Sequence, residues 1–174
     1  MQRKLKLSLV LLCAAVVLIA AYAFSTKPFF ADLFVEYDST KNPINIVFRY
    51  GVQGKNELDT FNGTFAKDLV IDGTATGRLY LSKQDLLQIQ VKLTEIGFFE
   101  YPDTFPSQGI VTPRGDGYLK VANGSIVKEV SWYSDSDYED SRVKSLHDTA
   151  VFLMDLIESK PAYKAFPPAN GAYM

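Results

Sequence analysis

Residues 82–102, SKQDLLQIQVKLTEIGFFEYP, constrain what the chain can fold into more than any other stretch, because they spell a start, a buried face and a stop for one helix. Ser82 suits an N-cap, and Asp85 three residues on supplies the acid of a capping box. At helical spacing Leu86, Ile89, Leu93 and Ile96 fall on one stripe, with Gln88, Lys92 and Glu95 opposite. Leu87 and Val91 add a second, weaker apolar strip, so a loop or strand is expected on that flank too. Gly97 stands where a left-handed residue closes a helix, and Phe98 follows where a contact back onto the last turn is usual. Phe98, Phe99 and Tyr101 then leave the helix together. Burying one such side chain contributes roughly 1.5–3 kcal/mol, so the C-terminal end of the helix is expected to be pinned to a sheet.

The stretches on either side read mainly as strands. Residues 33–37 suit a first strand, and residues 44–52 alternate, with Ile44, Ile46, Phe48, Tyr50 and Val52 on one side. Asn62-Gly63 suits a type I′ hairpin turn between residues 58–61 and 64–65. Residues 69–71 prolong the second of these strands to a turn at Asp72-Gly73, and residues 74–81 form the next. After a Pro- and Gly-rich loop at 102–117, residues 118–122 and 125–133 bracket Asn123-Gly124 as a hairpin. A two-residue turn there pairs Val121 with Ile126 and places Leu119, Val121, Ile126, Val130 and Trp132 on one face. A second helix spans residues 141–159, with Val143, Leu146, Ala150, Leu153, Met154 and Ile157 on its buried stripe. The pattern ββββ-α-ββ-α predicts an α+β fold, a mainly antiparallel sheet with two helices packed on one face.

Phe152 and Leu156 fall on the far side of the second helix. Large apolar residues one turn apart need a cover. Tyr163 and Phe166, in an extended tail of residues 161–174 beyond Pro161, are the nearest; a partner is the other candidate.

The chain opens differently. Arg3, Lys4 and Lys6 precede an apolar run from residue 7 to 21, and Ala21-Tyr22-Ala23 fits a small-x-small cleavage site. Residues 1–23 are therefore either a signal peptide or an uncleaved N-terminal membrane anchor, joined by a connector at 24–31 to a single domain at 32–160. Either reading keeps the basic end in the cytoplasm and places the remainder outside. Cys13, the one cysteine, lies inside the apolar run, so the domain must fold without a disulfide.

Composition narrows the chemistry. Of 18 basic residues three lie in the first segment, and none of the 20 acidic residues does, so the remainder holds 15 basic against 20 acidic side chains, a net of −5. That excludes nucleic acid as an expected partner. The single histidine, His147, has no cysteine nucleophile or serine elbow to serve, and no catalytic motif or cofactor cradle is present. Asp135, Asp137 and Glu139 alternate as calcium-loop ligands do, although Asp140 and Leu146 replace the glycine and the bidentate glutamate of an EF-hand. Acids ahead of a helix start suit its positive end equally well.

The runs FNGTFAKDL (61–69), LSKQDLLQIQVKLTEIGFFEYPDTF (81–105) and ESKPAYKAFPPANGAY (158–173) resemble a group of exported or membrane-anchored proteins of Gram-positive bacteria, and more distantly a class of small lipoprotein domains. The lipid anchor of the latter requires a small residue before its cysteine, where this chain has Leu12. The resemblance implies location and fold and carries over no functional residue. Two function classes follow. One is a non-enzymatic extracytoplasmic binding or interaction domain of the bacterial cell envelope. Its partner would be an envelope protein or glycan, with the membrane a further partner if the N-terminal segment is retained. The other is a cell-envelope hydrolase using the acids of the 102–117 and 134–140 loops.

Overall fold

The structure, a computed structural model, describes residues 44–109 and 113–173. The N-terminal segment, the connector and the expected strand at 33–37 lie outside the described residues. Strands β1 (Asn45–Tyr50), β2 (Asn56–Asp59), β3 (Thr64–Asp68), β4 (Thr74–Arg78), β5 (Asp116–Asn123) and β6 (Ile126–Tyr133) form one antiparallel sheet in the order β4-β3-β2-β1-β5-β6. Helix α1 (Lys83–Glu95) follows β4 and α2 (Ser141–Ser159) follows β6. A 3-10 turn (Phe98–Glu100) and a single helical turn, α3 (Pro161–Lys164), complete the set. The molecule is an α+β domain with both long helices on one face of the sheet.

One row of cross-strand partners organises the core. Gly77, Phe65, Leu58, Phe48, Leu119 and Val130 pair in succession across all the strands, and the five side chains of the row are fully buried. Directly opposed residues share a face, so this row defines the side on which the helices lie. Ile89 and Leu93 of α1 and Val143, Leu146, Ala150, Leu153 and Ile157 of α2 close over it. The other face is wet. There Arg49 pairs with Glu57 and Lys120 with Glu129 across neighbouring strands, and the Arg49 guanidinium lies 5.2 Å from the centre of the Tyr118 ring.

Helix α1 forms as its residues require. The Ser82 hydroxyl accepts from the Asp85 N–H, and the Asp85 carboxylate accepts from the Ser82 N–H at 2.8 Å. Gly97 ends the helix at φ +67°, and Phe98 behind it is fully buried. Tyr101 and Phe105 extend that aromatic corner, with ring centres 5.9 Å apart. The Asp103 carbonyl accepts from the Ser131 N–H (2.9 Å) and the Phe105 N–H donates to the Ser131 carbonyl (2.8 Å), which lays this part of the 102–117 segment along the outer edge of β6.

Four local expectations are corrected. The Asn62-Gly63 turn is not a two-residue type I′ turn: Asp59 pairs with Thr64, leaving residues 60–63 as the loop, and Gly63 alone there has positive φ. The Asp59 carboxylate accepts from the N–H groups of Phe61 (2.8 Å) and Asn62 (3.2 Å), an Asx turn that outcompetes the tighter one. Residues 69–71 do not prolong β3. The Leu69 N–H donates to the Gly73 carbonyl at 2.8 Å, and Val70 turns out of the strand at φ +64°. In the β5–β6 hairpin Asn123 pairs with Ile126, so the loop is Gly124-Ser125 and Val121 faces Lys128. Glycine takes the positive φ at the first loop position, as type II′ hairpins do. The slip is two residues, so Leu119, Val121, Val130 and Trp132 keep their common face while Ile126 moves to the exposed tip. Finally, the tail is not extended from its start, because Pro161, pre-set for the first position of a helix, opens α3.

Candidate functional site

Of the four apolar residues proposed for a partner surface, the structure divides two pairs. Phe152 and Leu156 are half-buried and packed against the core rather than facing away from it. The reason is α1, which lies alongside α2 and widens the arc of α2 that can be buried. Tyr163 and Phe166 do not find their ring partner there. Both meet the Phe65 ring edge-on, with centres 5.5 and 5.6 Å apart, and Phe166 fills the space that a side chain at Gly77 would need. The tail thus completes the buried row at its β4 end.

Phe152 instead borders a shallow depression of about 500 Å³ between the helices. Leu87 and Val91 supply its other apolar members, and Gln84, Gln88, Lys92 and Glu95 its polar ones. Val91 is 57% exposed, whereas Ile89 and Leu93 of the stripe, two positions to either side, are buried. The Leu87/Val91 flank is therefore met by Phe152 of α2, not by the loop or strand expected there. The i,i+4 spacing of Leu87 and Val91 was visible in the sequence, whereas their meeting with Phe152 depends on how α1 and α2 pack.

The acids do not converge. Among the described residues no three histidine, cysteine, aspartate or glutamate side chains are placed to hold a metal ion. Asp135 is buried and accepts from the Ser107 hydroxyl at 2.8 Å, Asp137 accepts from the Glu139 N–H, and Glu139 is exposed. Asp140 caps α2 through the Arg142 N–H and pairs with the Arg142 guanidinium. In the 102–117 segment Asp103 pairs with Lys128 at 2.6 Å and Asp116 with Arg114 at 3.1 Å.

The displaced carboxyl groups all move the same way. Burial pushes Asp85 up, but hydrogen bonds from Lys160 and Ser82 outweigh it and leave the group below the usual range. The Lys160 ammonium lies 2.7 Å from Asp85 and ties the start of α1 to the end of α2. Hydrogen bonds from Lys120 and Tyr118 lower Glu129, and those from the side chain and backbone of Arg142 lower Asp140. Each is stabilised as an anion, the opposite of what a general acid needs.

His147 stacks on Tyr138, with ring centres 4.6 Å apart, and its Nε2 is buried without a hydrogen-bond partner among the described residues. Burial lowers its pKa, against an opposing hydrogen bond to the Tyr133 backbone and the charge of Asp148.

A polar cluster escaped the sequence reading. The Tyr173 hydroxyl donates to Asp68 at 2.6 Å and accepts from Lys55 at 2.8 Å, and the Lys55 ammonium also lies 4.7 Å from the centre of the Tyr173 ring. These residues are 105 and 118 positions from Tyr173, a separation that no local pattern encodes. No family model matches the chain, and no curated protein matches its sequence.

Proposed function

We propose that the chain is an extracytoplasmic interaction domain of the bacterial cell envelope, held by its N-terminal segment or released after cleavage near Ala23, and that it works by binding rather than by catalysis. The observation that carries this reading is the apolar depression at Leu87, Val91 and Phe152, polar at its margins, in a domain where Asp85, Asp103, Asp116 and Asp140 are held in ion pairs. A partner protein offering an apolar side chain fits that arrangement better than a glycan does, since the depression's apolar members are aliphatic apart from one ring. Of the acids in the loops that the hydrolase alternative would use, Asp140 is held below the usual carboxylate range by Arg142, which does not suit a general acid.

A photo-crosslinking residue placed at Val91 in the full chain, expressed in its own cell, tests the reading. The expected result is one discrete protein adduct that is absent when the same residue stands at Val127, which is about as exposed on the sheet. Identical adduct patterns at the two positions would remove the α1–α2 depression as the binding surface.

A further inference from the structure

The C-terminal segment is bound to the domain the way a peptide ligand is bound. Its aromatic end is seated first: Phe166 enters the space over Gly77, where an added Cβ would come within 2.9 Å of the ring, and its edge meets Phe65. Its main chain is then paired. The Asn170 N–H donates to the Leu69 carbonyl (3.1 Å) and the Ile71 N–H donates to the Asn170 carbonyl (3.2 Å), a single parallel bridge to Val70 in the β3–β4 turn. Its last described residue is read by charge, the Tyr173 hydroxyl lying between Lys55 and Asp68. A side-chain pocket, backbone pairing and a polar end-stop are the parts of strand-addition recognition.

The link to the rest of the chain is short and has one hinge. Helix α2 ends at Ser159, Lys160 is extended at φ −73°, ψ 137°, and Pro161 begins a separate turn. Between Lys164 and the Asn170 bridge no helix or strand holds the segment. Nothing in the seat requires that the segment come from the same chain.

We propose that this seat is a recognition groove filled in cis, and that a second copy of the chain fills it in trans by reciprocal exchange of residues 161–173. The second copy is the occupant because its tail is the one peptide whose fit to the groove the structure shows residue by residue. Exchange about Lys160 would offer the same Phe65, Gly77, Leu69–Ile71, Lys55 and Asp68 partners to the tail of the second copy, the logic by which swapped segments are a low-cost route to a dimer. The tethered tail competes at an effective concentration on the order of millimolar, so the exchanged dimer grows with protein concentration. The proposal does not depend on the α1–α2 depression.

The test uses full chains with Cys13→Ser, so that added thiols are unique. One chain carries Val70→Cys and the other Asn170→Cys, at the two partners of the bridge. The two are mixed at about 1 mM, near the effective concentration of the tether, and oxidised. The expected product is a disulfide-linked dimer of the two different chains, well above the yield from pairing Val70→Cys with Ser125→Cys at the distant hairpin tip. When diluted a hundredfold, a single chain carrying both Val70→Cys and Asn170→Cys should close on itself. A mixed dimer no more abundant than the Ser125→Cys control overturns the exchange. A double chain that fails to close when dilute overturns the seat itself.

Discussion

Tyr50 shows how a single residue can be kept at a cost. Its ring stacks on Phe48 with centres 5.0 Å apart, while its hydroxyl is buried with no hydrogen-bond partner among the described residues. Burial, with Tyr163 and Glu158 close by, pushes its pKa up. A buried unsatisfied polar group costs about 1–3 kcal/mol. Tyr50→Phe keeps the stacking and removes the hydroxyl, so thermal denaturation should give a midpoint equal to or above that of the native chain. A lower midpoint would mean that the hydroxyl has a partner. His147 makes a prediction of opposite character. Its folded pKa lies below the ordinary histidine value of 6.5, so below that pH the unfolded chain binds the proton more readily. This contribution to stability is complete above pH 6.5 and is lost as pH falls through the lower, folded value. Melting at pH 7.5 and pH 5 should therefore show a smaller drop for His147→Gln than for the native chain. An equal drop would assign the acid sensitivity elsewhere.

At the scale of elements, α1 was legible and its surroundings were not. Cap, stripe, stop and aromatic exit are all set by neighbours within a turn or two, and Ser82, Asp85, Leu93 and Gly97 occupy the roles that their spacing implies. Leu93→Ala should cost about 2–5 kcal/mol in chemical denaturation, because Leu93 is buried at the centre of the stripe. Gln88→Ala on the exposed side should cost under about 0.5 kcal/mol; equal losses would show α1 rotated from the orientation described. The turns were harder to read because side chains compete for them. Asp59 captured the Asn62-Gly63 turn, and the placement of Gly124 moved the last hairpin by two residues. Phe152 lies on the far side of α2 with respect to the sheet alone, and the neighbour that half-buries it, α1, is not encoded in the spacing of α2. The tail was legible as a cover but not in what it covers: Tyr163 and Phe166 act on Phe65 and Gly77, on strands far away in sequence. Truncation after Lys160 bares that end of the core and should lower the melting midpoint by several degrees. An unchanged midpoint would show that the tail contributes no stability.

For the molecule as a whole, sheet, helices and tail share one buried face, and the cross-strand pairs Arg49–Glu57 and Lys120–Glu129 lie on the other. No helix among the described residues is long and apolar enough to cross a membrane. The case for a place outside the cytoplasm therefore rests on the first 23 residues, with three basic side chains ahead of an apolar run and no acid among them. Everything proposed about an envelope partner depends on that placement. Alkaline phosphatase, which is active only when exported, should be fused after residue 30 and compared with a reporter active only in the cytoplasm fused at the same point. An active phosphatase and a silent cytoplasmic reporter are the predicted result. An inactive phosphatase with an active cytoplasmic reporter would place the domain inside the cell and contradict the account.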